Sequence, residues 1–233
     1  MEHNLHTRFG ASAGSESMLA VRHRVLRNTY WLLALSMIPT VLGAWLGVQF
    51  KFAFFAGSPM IGFMLFMAIA FGFIFAIEKT KDSGLGVAVL LGFTFFMGLM
   101  LSRMIGAILG FSNGSTLIMM AFGGTASIFA TMATVATVSK RDFSGLGKWL
   151  FAGVMVIMVA SLANIFFQLP AMQLAISVIA IAIFSAYILH DVQQVINGGE
   201  TNYITATLSI YLDLYNIFSN LLALLGIFGG NRD

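Results

Sequence analysis

Cysteine is absent from this chain, which excludes disulfide bonds, thiolate metal sites and cysteine nucleophiles. Charge is also scarce, because only 9% of the residues are Asp, Glu, Lys or Arg, whereas an average soluble domain is about one quarter charged. No glycine-rich phosphate loop or nucleotide fingerprint is present, which argues against an ATP-driven pump. The alternating pattern of a transmembrane barrel is missing too. These absences leave an α-helical membrane protein as the class to test.

Apolar residues dominate what is present. Hydrophobic side chains make up 59% of the 233 residues, and the mean hydropathy is +0.92. The 24 glycines and 23 phenylalanines suit transmembrane helices that pack closely. Two glycine pairs spaced four residues apart, Gly43 with Gly47 and Gly106 with Gly110, predict close helix contacts. The composition therefore predicts an all-α integral membrane protein.

Seven apolar segments are long enough to cross a bilayer, which takes about 20 residues. They cover residues 30–50, 53–77, 85–110, 115–138, 147–168, 170–194 and 203–228. We expect a seven-helix transmembrane domain over residues 29–228, between a polar cytoplasmic tail at residues 1–28 and a short tail at residues 229–233. The composition of the first tail predicts disorder.

The lysines and arginines predict the orientation. Arg22, Arg24 and Arg27 precede the first segment, and further basic residues lie between segments two and three and between segments four and five. All of these positions fall on one side of the membrane, which the positive-inside rule assigns to the cytoplasm. The N-terminus is therefore expected in the cytoplasm. A full seventh crossing would put the C-terminus outside, and a re-entrant seventh segment would leave it inside.

Three charged residues lie within apolar segments: Arg103, Asp191 and Asp213. A charge at the bilayer centre costs about 2.5 to 3.5 kcal/mol on insertion scales, so each of these residues is a functional candidate that needs a partner. Arg103 could pair with a carboxylate, or its side chain could snorkel to the outer headgroups.

Asp213 lies on a polar stripe of the seventh segment. At helical spacing its face carries Asn202, Thr205, Ser209, Asp213, Asn216 and Asn220. Such a stripe should face the bundle interior, because lipid cannot satisfy polar groups. The sixth segment carries a weaker stripe with Asp191, and a regular hairpin would leave Asp213 about 6 Å deeper than Asp191 at 1.5 Å per residue. We expect the two stripes to face each other.

Two neighbouring carboxylates in a low dielectric cannot both ionise at low cost, so they would respond to pH. When ionised they would attract cations, and Ca²⁺ is the hard cation that carboxylates favour. Asp191 and Asp213 are thus candidates for a gate and for a transient calcium contact. The alternative is that each is structural and hydrogen-bonded by neighbouring Asn, Ser or Tyr. His190 projects about 100° away from Asp191, which favours a structural role over a proton relay.

Four stretches resemble the transmembrane Bax inhibitor motif family, in particular its bacterial inner-membrane members. They are RHRVLRNTYWLLALSM (22–37), NIFFQLPAMQLAIS (164–177), YILHDVQQVINGGETNYI (187–204) and LSIYLDLYNIFSNLLALLG (208–226). The resemblance implies six helices around a central seventh. It also implies that Asp191 and Asp213 form a pH-sensitive latch for calcium leak. The family's arginine on the second helix has no equivalent here, and whether Arg103 replaces it stays open.

Two functions follow as expectations. The first is a pH-sensitive passive leak for calcium or other cations in the bacterial inner membrane, gated by the two aspartates, without enzymatic activity or a cofactor. The alternative, also implied by the resemblance, is a modulator or substrate of a membrane-anchored AAA protease, engaged through the cytoplasmic tail. The lipid bilayer is a partner for both functions. Nucleic acid is not expected as a partner for either function, because the basic residues form no continuous stripe.

Overall fold

Seven α-helices make up nearly all of the described chain. The structure, a computed structural model, describes the backbone of residues 3–52 and 59–230 and the side chains of residues 20–52 and 60–230. The helices are α1 (His3–Gln49), α2 (Pro59–Thr80), α3 (Gly84–Leu109), α4 (Gly114–Val138), α5 (Gly147–Phe167), α6 (Pro170–Asn197) and α7 (Tyr203–Gly229). These ranges contain no strand, and one 3-10 turn precedes α5. The all-α prediction is confirmed.

Each helix is long and apolar enough to span a membrane. The apolar spans are 21 to 30 residues long, with mean hydropathies of 1.5 to 2.6. At 1.5 Å per residue the shortest measures about 32 Å, close to the thickness of the hydrocarbon core. The predicted number of transmembrane helices is therefore confirmed.

The helix ends differ from the sequence prediction in two places. Helix α1 begins at His3, well before its apolar span at Ala20–Gln49, so the tail predicted to be disordered is helical from His3. Helix α2 begins at Pro59, where the fixed φ of proline suits the first helical position. The start of the predicted second segment, residues 53–58, lies outside the described residues.

Helix α7 occupies the centre of the bundle. It contacts α1, α2, α3, α4 and α6, and its residues Tyr211, Ile217 and Leu222 are fully buried. Helix α5 packs on α6 and the preceding 3-10 turn and does not touch α7. The central position of the last helix agrees with the expectation, but five helices rather than six contact it, because α5 lies outside α6.

The seventh helix crosses the whole bundle. We call the end that carries Arg24, Lys81 and Arg141 the basic side. There the Asn202 side chain caps α7 by accepting from the backbone of Ile204, and its amide nitrogen donates to Lys81 O at 3.0 Å. At the other end Gly229 O accepts a hydrogen bond from Asn113, in the loop between α3 and α4. A re-entrant α7, the alternative left open by the sequence, is not what the structure shows.

Glycines bring α1 and α3 into backbone contact. A Cβ atom built on Gly98 would lie 2.1 Å from Thr40 O, and one on Gly43 would lie 2.2 Å from Phe95 O. Only glycine permits this approach. The close packing predicted for Gly43 and Gly47 is confirmed, whereas the nearest atom of a neighbouring helix to a Cβ on Gly106 would be Val48 Cγ2, at 3.9 Å.

Replacing Gly98 by Ala should destabilise the protein, because the new methyl group would force α1 and α3 apart. We expect a loss of about 1 to 3 kcal/mol, as for other overpacked cores. Gly72→Ala is the matched control, since nothing lies within 4 Å of its Cβ position, and helix propensity alone favours Ala by about 1 kcal/mol. Thermal unfolding of both variants in one detergent measures the difference. Equal melting temperatures would contradict the contact.

Candidate acid site between the sixth and seventh helices

Asp213 is a buried carboxyl group at the centre of the bundle. Its exposed fraction is 4%, and Oδ2 has no hydrogen-bond partner among the described residues. The side chain cannot turn outwards, because Ile210, Tyr211 and Ile217 hold α7 in the core on both sides of it. A buried acceptor left without a partner costs about 1 to 3 kcal/mol, and more when it is charged. Asp213 therefore needs a proton, a cation or water to satisfy it.

Asp191 is the charged residue whose field acts on Asp213. It lies six residues before the end of α6, and Asp213 lies ten residues after the start of α7. At 1.5 Å per residue Asp213 is about 6 Å deeper, as the hairpin argument predicted. The two carboxyl groups are close enough to influence each other electrostatically, but no hydrogen bond joins them in the described part of the chain. The tertiary structure thus places both aspartates in one region without direct contact.

His190 belongs to this site, which the sequence argument missed. Its Nδ1 lies 2.8 Å from Asp191 Oδ1, and its Nε2 lies 3.3 Å from the Gln194 amide nitrogen. Gly147 of α5 makes room for the ring, since a Cβ there would lie 3.0 Å from His190 Nε2. The 100° step along the helix separates the two Cβ atoms, but an imidazole is long enough to reach back across it. In the sequence, the polar residue Gln194 one turn after His190 could have indicated that the ring has polar partners.

The other residues of the polar stripe have separate roles. Ser209, one turn before Asp213, is exposed, and Asn202 serves as the helix cap. Asn216 and Asn220 donate their amide hydrogens to carbonyls of α7 itself, Leu212 O and Asn216 O, each at 2.8 Å. In the described part of the chain none of these groups donates a hydrogen bond to Asp213 Oδ2, so the stripe does not satisfy the buried carboxyl group.

Arg103 lies far from both aspartates. It is exposed, 19 residues after the start of α3 at the basic side, whereas Asp191 is six residues from the basic end of α6. The difference of 13 residues corresponds to about 20 Å along the helix axes, and Asp213, ten residues after the start of α7, is separated by about 14 Å in the same way. No ion pair of Arg103 is found within the described residues. Its position is that of a side chain near the opposite headgroups.

No assembled metal site exists in the part of the chain that the structure describes. That part contains no group of three or more His, Asp or Glu side chains placed to hold an ion. A Ca²⁺ ion takes six to eight oxygen ligands, far more than two carboxyl groups at different depths supply. Any cation at Asp191 and Asp213 would therefore be held weakly.

The loop between α4 and α5 is fastened to α6 next to the acid site. The buried Gln193 donates to Arg141 O at 2.7 Å and accepts from the Phe143 backbone. Within the same loop the Ser144 N–H donates to Asp142 Oδ1, which lowers the pKa of the exposed Asp142 carboxyl group. At the end of α6, Gly198 has a φ of 80° and lies under the Arg22 guanidinium. The basic end of α6 therefore contacts two other parts of the chain, the loop between α4 and α5 and the Arg22 side chain of α1.

These features define an α-helical integral membrane protein with two neighbouring carboxylates in its interior. The sequence profile of the family described as "Inhibitor of apoptosis-promoting Bax1" matches residues 22–231. The chain belongs to this family, which confirms the resemblance seen in the sequence.

Several curated proteins are similar over most of their length. "Modulator of FtsH protease YccA" of Escherichia coli K12 is 38% identical over 219 residues, which cover 94% of this chain and 97% of that protein. An uncharacterized protein of Neisseria meningitidis serogroup A is 39% identical over 206 residues, 88% of this chain and 91% of the relative. An uncharacterized membrane protein of Vibrio cholerae is 34% identical over 209 residues, covering 90% and 92%. All three relatives are bacterial, and the one from Vibrio cholerae is named as a membrane protein.

Replacing Gln193 by Leu should loosen the loop between α4 and α5, because Arg141 O and Phe143 N would lose their partner. We expect a local cost of about 1 to 3 kcal/mol. Hydrogen exchange of the amides of residues 141–146 measures it and should become faster. Gln173→Leu, on the same helix near its other end, is the control and should leave these amides unchanged. Equal exchange in both variants would contradict the assigned role of Gln193.

Proposed function

We propose that this chain forms a pH-sensitive passive cation leak in which Asp191 and Asp213 act as the gate. The observation that supports this function best is the buried Asp213 Oδ2, which lacks a hydrogen-bond partner in the described residues while a second carboxylate acts on it. Calcium is the expected ion, because hard divalent cations prefer carboxylate oxygens. The process is passive and includes no enzymatic step.

The gate works through the charge on Asp213. A protonated carboxyl group is neutral and fits the apolar centre of the bundle, whereas an ionised one leaves an uncompensated charge beside Asp191. Repulsion between the two carboxylates then favours separation of α6 from α7, and a cation is drawn in to balance the charge. His190 holds Asp191 in place during this change through its 2.8 Å contact.

The basic side is proposed to face the cytoplasm of a bacterial inner membrane. Arg22, Arg24 and Arg27 lie in the first eight residues of the first span, and the loops with Lys81 and Arg141 lie at the same end. The positive-inside rule places such an end in the cytoplasm. The acid site then lies in the cytoplasmic half of the bundle.

Calcium flux into liposomes that contain the purified protein should depend on pH between about 5 and 8, and Asp213→Asn should remove that dependence. When one carboxyl group titrates, the population of its minor protonation state changes by about tenfold per pH unit. We therefore expect the calcium flux to change by about tenfold per pH unit. Asp142→Asn removes an exposed carboxyl group outside the bundle and is the matched control. An unchanged pH profile in Asp213→Asn, or no flux at any pH, would refute the gate.

A second function, modulation of a membrane-anchored AAA protease, is supported by the comparisons. The Escherichia coli relative named as a modulator of FtsH protease matches 94% of this chain. We propose that the N-terminal segment makes the contact. Helix α1 extends over residues 3–19 before its apolar span, about 25 Å at 1.5 Å per residue, which provides a segment outside the membrane.

Removing residues 1–19 should abolish any effect of this protein on the protease and leave ion flux unchanged, because the seven spans remain. The measurement is the rate at which a co-reconstituted FtsH-type protease degrades a membrane substrate. A variant with residues 1–19 replaced by a Gly/Ser segment of equal length controls for chain length and should behave like the deletion. Retention of the effect in both variants would rule out this segment as the contact.

A further inference from the structure

A groove opens on the basic side where the first span begins. Its volume is about 610 Å³, within the range of about 300 to 1,000 Å³ common for ligand pockets. The described residues that line it are Ala20, His23, Arg24, Leu26, Arg27 and Tyr30. Most of them recur at intervals of three or four, so they share one face of α1. The groove plays no part in the acid site.

The cationic end of this groove has no acidic partner among the described side chains. Arg24, Arg27 and His23 are exposed, and the ion pairs found in residues 20–52 and 60–230 involve other residues. Two guanidinium groups one turn apart present several N–H donors in a planar arrangement, the geometry that binds phosphate oxygens in pairs. The groove is therefore complementary to a phosphate group.

The other end of the groove is apolar and lies deeper in the span. The span begins at Ala20, and Tyr30 is about 15 Å further along the helix at 1.5 Å per residue. Leu26 lines the groove between them, and the Tyr30 ring packs edge-on against Phe129 of α4, with 5.9 Å between centroids. Next to Tyr30, Trp31 is exposed on the outer surface of α1. A ligand that fills the groove must combine an anionic group with a hydrocarbon part.

We propose that the groove binds one anionic phospholipid of the leaflet on the basic side. The phosphate accepts hydrogen bonds from Arg24 and Arg27, with His23 beside them, and an acyl chain lies along Leu26 and Tyr30. Basic pockets at this depth of a membrane protein attract anionic headgroups beyond general surface charge. A free phosphate would use only the cationic end, so the apolar end favours the lipid.

Native mass spectrometry of the full-length protein in non-ionic detergent tests the proposal. With equal amounts of phosphatidylglycerol and phosphatidylcholine present, one retained phosphatidylglycerol per chain is expected. The double variant Arg24→Gln/Arg27→Gln should lower its affinity by about tenfold or more, as expected for the loss of charge-assisted hydrogen bonds. Arg27→Lys preserves the charge but not the planar group, and a smaller loss is expected.

Lys140→Gln/Lys148→Gln is the matched control, because it removes two exposed positive charges from the same side of the protein. It should retain the lipid as the wild type does. Equal loss in both double variants would overturn the proposal in favour of diffuse surface charge. If inorganic phosphate stabilised the protein against heat as much as phosphatidylglycerol does, the ligand would be a soluble anion and the proposal would be wrong. If phosphatidylcholine were retained as well as phosphatidylglycerol, the groove would not select an anionic headgroup, which would also contradict the proposal.

Discussion

The structure depends on one constraint, that hydrocarbon offers no hydrogen bonds. Each transmembrane segment is helical because a helix satisfies its backbone groups internally. Side-chain hydroxyls follow the same rule: Thr29, Ser36 and Thr125 are buried and each donates to a carbonyl one turn earlier in its own helix, at 2.8 to 2.9 Å. Against this background Asp213 stands apart, because one oxygen of a buried carboxyl group is without a partner in the described residues.

The central helix is held rigidly around this carboxyl group. Six residues before Asp213 in α7, towards the basic side, Thr207 donates to its own helix at Tyr203 O and lies 3.3 Å from Thr29 O of α1. Tyr211 shares a hydrogen bond of 2.9 Å with Thr40 of α1. Helix α6, which carries Asp191, is packed as well, because it contacts α1, α4 and α5 in addition to α7.

The two proposed functions rest on different parts of the molecule. The proposed gate concerns the interior, where His190 contacts Asp191 and Asp213 lies deeper in the same region. The proposed protease contact concerns a partner, in keeping with the name of the Escherichia coli relative, and the segment proposed for it is the extension of α1. Helix α1 takes part in both, because Thr40 near its far end holds the central helix while residues 3–19 precede the span. A partner bound to α1 would thus act on the helix that supports α7.

Hydropathy and charge in the sequence were sufficient to predict the seven helices, the intramembrane aspartates and the difference in depth between the two aspartates. Each of these features depends on local spacing along a helix. They could not place α5 outside the ring around α7, since its composition is as apolar as that of its neighbours. Nor could they show that the His190 ring contacts Asp191 in the space left by Gly147, or that Arg103 lies towards the other end of the bundle. Those relations depend on side-chain direction and on which helices meet, and only tertiary packing decides them.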